Sequence, residues 1–295
     1  MASTTRTYDF RSDESIRLGI NPKLPMSEKS YDRRIIILLV ITPIWTLLFT
    51  IIPVVTKFQG VAADIYRFLE PVVSIPLQYF IMVSSEVFID STQGGRQFLF
   101  GLSERSFLNI WFLIGAALYA QGAGLHSTAI LAKHSIEDVI TSHPEIVQQY
   151  PVLNDVLYYF QETLEHTIGH YLYATGFLII TWAQLFAYRR QKHDGIDSLK
   201  GTLWWITGGI LFGLLHAFVA IEFPHGSLVI LIYLLIVGIA ITLHLYRFKI
   251  LFTKGRRLVL QSYLIGYTTA LVIDLIWIAV VGGFKNRKDT GLLAH

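Results

Sequence analysis

The run IIILLVITPIWTLLFTIIPVVT, Ile35–Thr56, carries no charged side chain. At about 1.5 Å per helical residue it crosses a hydrocarbon layer of about 30 Å, and inside such a layer every backbone N–H and C=O must be satisfied within the helix. A chain containing this run is expected in a bilayer. The composition agrees: 53% of the 295 residues are hydrophobic and 15% are charged, where a soluble domain carries about 25% charge. The run follows a mixed-charge arm with no small-residue cleavage site, so it reads as a retained span rather than a removed signal peptide.

Apolar blocks recur at 35–56, 69–90, 107–132, 157–188, 201–221, 227–247 and 259–282. They predict an all-α, polytopic membrane protein built as a seven-transmembrane-helix bundle over 35–282. Outside the bundle lie an N-terminal arm (1–34) and a C-terminal tail (283–295), and the outer loop 133–156 reads as either a lid over the outer mouth or a simple connector. The second block is diluted by Pro71, Pro76, Gln78 and Glu86, and Glu86 and Asp90 read as interface residues. The fourth block is longer than a bilayer needs, so Asp155–His166 is expected to extend above it.

Basic residues orient the bundle. Lys and Arg number seven in the arm and two, four and five in the 2–3, 4–5 and 6–7 loops. The opposite side holds two, one, none and three. This asymmetry predicts a cytosolic N-terminus and an extracytosolic C-terminus. That orientation is opposite to a G-protein-coupled receptor, and the last span has no lysine for a retinal Schiff base. The absence of cysteine excludes disulfides, Cys-ligated zinc and thiol catalysis, and a net charge of +3 gives no reason to expect nucleic acid. The expected partners are the bilayer and a lipophilic small molecule.

Histidine distributes the other way. Eight of ten fall at or beyond the outer half: His126, His134, His143, His166, His170, His216, His225 and His295. Helix direction and rise put His126 roughly 8 Å deep, His170 roughly 5 Å and Asp274 roughly 10 Å from the outer end of the last helix. Glu162, His166 and His170 are spaced by four and share one helical face. His126, His166, His170 and His216 are therefore the candidate metal ligands. Glu162 and Glu165 are candidates for proton transfer, and Asp274 for a ligand or an orienting carboxylate. Ionisable groups inside a membrane are costly and usually face an interior site. Imidazoles with a carboxylate suit zinc best, with iron or copper as alternatives. His134, His143 and His193 read as solvated loop residues, and His244 as structural. Helix 7 carries a stripe of Tyr263, Tyr267, Ala270 and Asp274. Gly209 and Gly213 on the face of His216 predict close backbone approach, and 115–124 is likewise rich in small residues.

These features point to a metal-dependent membrane enzyme acting on a lipid or lipophilic substrate, a hydrolase in the first place and an oxidase or oxygenase with iron or copper. The layout resembles seven-helix membrane hydrolases with a three-histidine zinc site, the alkaline ceramidases and adiponectin receptors. Those families place their histidine pair on the last helix, whereas here it lies on the fourth, so no residue role is carried over. The main rival is a proton- or metal-ion transporter using the same cluster. It predicts polar groups continuing toward the cytosolic side, where the sequence below His170 and His216 reads as largely apolar. A pH sensor and a haem site are weaker rivals.

Overall fold

The computed structural model describes residues 28–56, 61–85 and 97–291, and it is mostly helical. Most of the predicted arm, Glu86, Asp90 and His295 lie outside the described residues. Each segment read as a span overlaps a helix. The first is α1 (Glu28–Thr56). The second overlaps α3 (Glu70–Val83), which is preceded by a short helix, α2 (Val61–Phe68), outside the predicted segment. A two-stranded hairpin, β1 (Gln97–Leu99) with β2 (Leu102–Ser103), leads into α4 (Glu104–Ser142). Ser103 caps α4 by accepting from Ser106 N at 3.1 Å, which satisfies one of its unpaired amides.

The third segment was expected to end near 132, but α4 runs on for 39 residues. No breaker intervenes until Pro144, which forces His143 out of the helical region at φ −137, ψ 66. The outer loop 133–156 is thus the end of α4 followed by two short helices, α5 (Pro144–Gln149) and α6 (Val152–Tyr158). The fourth segment also departs from a plain α-helix. Tyr159–Gly169 forms an 11-residue π-helix before α7 (His170–Tyr188). The remaining helices are α8 (Leu199–Glu222), α9 (Gly226–Arg247), α10 (Leu258–Val281) and the short α11 (Arg287–Thr290).

Among the described residues, α4, α8, α9 and α10 are long and apolar enough to cross a bilayer. Their outer faces suit that environment: Ile236, Ile239 and Leu243 on α9, and Ile276 and Val280 on α10, are all more than half exposed. Apolar side chains repeated along a helix face in this way mark contact with lipid or protein rather than water.

Two close-packed pairs form the centre: α4 against α7, and α8 against α10. Both depend on glycine. A Cβ on Gly122 would lie 2.2 Å from Tyr173 N, and one on Gly176 2.3 Å from Tyr119 N, so α4 and α7 meet backbone to backbone in antiparallel order. A Cβ on Gly213 would lie 2.3 Å from Gly266 O, and one on Gly209 2.9 Å from Ser262 O, so α8 and α10 run in the same direction. The expected close approach at Gly209 and Gly213 is present.

Candidate functional site

The α4–α7 contact delivers the histidines to one another. A Cβ on Gly169, the last residue of the π-helix, would sit 3.2 Å from His126 Cα, so the two backbones nearly touch at this level. The His126 and His170 ring centroids are consequently 4.6 Å apart. His166 lies parallel to His170 at 5.7 Å, with an interplanar angle of 5°. Each of the three rings leaves a buried Nδ1 without a hydrogen-bond partner. The carbonyls of Glu165 and His166 lie near the His170 ring without bonding to its Nδ1. Phe223, at the end of α8, covers the far side of His170 at 6.1 Å.

The π-helix explains which acid faces inward. Its i→i+5 bonding puts more residues into each turn, so residues four and five apart share a face. Glu165 and His166 therefore both sit toward His170. Glu165 is 6% exposed, its Oε2 3.7 Å from Lys133 Nζ of α4. Glu162 lies on the rim and is ion-paired with Lys288 of α11. Arg287 of the same short helix meets Glu222 at the end of α8 at 3.0 Å. The expected tail is thus docked on the end that carries the three imidazoles through two ion pairs, and burial lowers the Lys288 ammonium from its ordinary value.

Two predicted site residues do not join this group. His216 is 2% exposed, donates through Nδ1 to Phe212 O at 2.9 Å, and is surrounded by Phe212, Phe177 and Tyr267 at 4.3, 4.8 and 5.5 Å. No other imidazole is among its ring neighbours. Its helix runs beside α10, which fixes it on an aromatic shelf. Asp274 is fully buried between α10 and α9 beside Ser227. The stripe of Tyr263, Tyr267, Ala270 and Asp274 is buried: Tyr263 reaches Gln184 of α7, Tyr267 meets His216 of α8 and Tyr233 of α9, and Asp274 lies beside Ser227, so these three do not join the imidazole cluster.

Among the described residues, no three His, Cys, Asp or Glu side chains stand in positions that already fit a metal ion. The three rings are neighbours, and their nitrogens do not converge on one point. Coordination at about 2.0–2.1 Å per nitrogen would require the rings to turn toward a common centre.

His193 lies in a loop as expected, but the expectation that it is solvated is corrected. It is 4% exposed, and its Nδ1 lies 2.7 Å from the Asp32 carboxylate of α1. It is held there because the 189–193 segment is clamped by Arg257, which donates to the carbonyls of Arg189 and Gln191. His134 lies within α4 rather than in a loop, and His143 is exposed. His244 is structural as expected, its Nε2 2.9 Å from Arg189 O.

Sequence reasoning missed a buried carboxyl. Glu70 of α3 accepts from Tyr119 Oη at 2.5 Å, and the Tyr119 hydroxyl is 2.9 Å from that of Tyr173. The available signal was the spacing of Glu70, Ser74 and Gln78, four apart on one face of a segment that had seemed merely diluted. Comparison with family models, with curated proteins and with solved structures returned no match.

Proposed function

We propose that this chain is a seven-crossing membrane protein with its N-terminus in the cytosol, and that it uses a transition-metal ion bound between His126, His166 and His170 to act on a lipophilic substrate. The observation that carries the reading is the side-by-side placement of three imidazoles from packed helices, each with a buried and unpartnered Nδ1. Buried polar atoms are nearly always paired, so three orphans in one place call for a ligand. The long π-helix adds support, because such irregular turns occur mostly at functional sites.

The ligand set proposed is the three imidazoles, with Glu165 beside them and Glu162 on the rim. His216 and Asp274 are left out because their surroundings are aromatic and interhelical. A zinc ion held by His126, His166 and His170 would supply a water that ionises near pH 7 for attack on an ester or amide, and Glu165 would be the group placed to take and return the proton. With iron or copper the same set supports oxidation.

Elemental analysis of detergent-purified protein tests the assignment. Wild type is expected to carry one zinc, iron or copper per chain, and the His166→Ala/His170→Ala variant none, at an unchanged elution volume. Full metal stoichiometry in that variant rejects the site. A transport reading draws on a different observation, the polar groups that continue along α3 and α7 beyond the imidazoles.

A further inference from the structure

One face of α3 presents a polar side chain at every turn: Glu70, Ser74 and Gln78, at 8%, 1% and 6% exposure. Each meets a polar group from another helix. Glu70 meets the Tyr119 and Tyr173 hydroxyls. Ser74 Oγ is 3.0 Å from Thr46 Oγ1 of α1. Gln78 Oε1 accepts from Gln184 Nε2 of α7 at 2.7 Å, and Tyr263 of α10 donates to Gln184 Oε1. Beside this last group, Thr42, Gln78, Ser262 and Tyr263 line a cavity of about 10 Å³, which is room for one water. Next along α7, the Tyr188 hydroxyl donates to Ile81 O, and beyond it Arg189 pairs with Glu104.

Unlike Glu104, which pairs with Arg189, Glu70 has no counter-charge among the described residues, and its Oε2 is buried without a hydrogen-bond partner. The groups facing it are Ser74 on its own helix, Tyr119 from α4 and Tyr173 from α7. Arg67 of α2, three residues earlier, acts instead on His126 and Glu165. A buried carboxyl with no counter-charge favours its neutral form, and hydroxyl neighbours on both sides let it exchange a proton rather than hold a fixed ion.

We propose that Glu70 is the proton-exchange site of a buried relay, running from one helical turn beyond His170 through Ser74 and Thr46 toward the one-water cavity beside Thr42, Gln78 and Tyr263, and that the protein conducts protons along it. Tyr119, which donates to Oε1, passes its proton there and is reprotonated through the Tyr173 hydroxyl, while Oε2 releases its own proton toward Ser74. The Ser74 hydroxyl passes its proton on in turn, so one proton advances and no group keeps a charge. The relay rests on the membrane-spanning reading and is independent of the metal.

The test is proton influx into vesicles of neutral phospholipid that contain the full chain and an internal pH dye, driven by a potassium diffusion potential. Wild type is expected to exceed protein-free vesicles, with the rate reduced at least tenfold by Glu70→Gln and severalfold by Tyr119→Phe. The rate should persist after chelation, and both variants should keep wild-type metal content. Wild-type influx equal to empty vesicles overturns the proposal. So does wild-type influx in either variant, or influx abolished by the chelator, which would assign conduction to the imidazole site. If Glu70→Gln fails to fold, Tyr119→Phe decides alone, because it preserves the ring packing and removes only the hydroxyl.

Discussion

The two ends of the helix bundle treat their polar side chains differently. At the end near Arg189 the imidazoles and guanidinium are tied down: His193 to Asp32, His244 to Arg189 O, and Arg257 to two carbonyls. Trp205 and Gln261 likewise donate to backbone carbonyls there, at 3.0 Å each. At the other end His126, His166 and His170 sit within ring-contact distance and leave Nδ1 unbonded. Both ends are buried and both are rich in histidine, so residue type alone does not separate them. Satisfaction does. A bonded imidazole adds about 1 kcal/mol and fixes a loop, whereas an orphaned one costs stability and persists where another role requires it.

The largest effect is expected where the two helices that carry the outer cluster touch. Gly176→Val should destabilise by about 3 kcal/mol or more, because its Cβ would fall on the Tyr119 backbone, which has no rotamer to move. Loss of the monodisperse elution peak and a lowered Tm would show it, and an unchanged Tm would mean that α4 and α7 are not in backbone contact. Next comes Arg257→Met at the end near Arg189, which leaves the buried Gln191 carbonyl without a donor and Arg189 O with only His244, and should cost about 2 kcal/mol without altering metal content. A variant that folded normally but lost its metal would break the division between the two ends. Asp32→Asn replaces a charged partner of His193 by a neutral one and should lower stability by about 1 kcal/mol.

The smallest stability change is expected at the outer cluster itself. His126→Leu should move the unfolding free energy by less than about 1 kcal/mol, since the imidazole Nδ1 it removes makes no hydrogen bond. It should nonetheless weaken metal binding by at least tenfold, read by competition with a coloured chelator. Metal affinity in the wild type should also fall as the pH drops below about 6, because ligand imidazoles must be unprotonated. A large loss of stability in His126→Leu would return this ring to the structural class of His193.

The sequence was most legible where a segment's own period decides its fate. Charge-free runs gave the helices at 199–222, 226–247 and 258–281 almost to the residue, since lipid contact and core packing both reward an uninterrupted apolar helix. The pairing of His166 with His170 was legible because it depends only on local spacing. The π-turn before it was not, because α and π hydrogen bonding use the same residues and differ only in register. Glu70 escaped notice because one acid among prolines in a weak segment reads as dilution until Tyr119 and Tyr173 are set against it.

Sequence by itself determined that the chain is helical and apolar enough for a membrane, and that imidazoles crowd toward one end. Those properties follow from composition and period along a single helix. Which imidazoles meet was decided by tertiary structure. Glycine contacts at 122, 169 and 176 bring α4 onto the π-helix and α7, so His126 joins His170, while the parallel course of α8 along α10 turns His216 into an aromatic pocket. Relations of this kind depend on how two helices approach, and no spacing within either one encodes it.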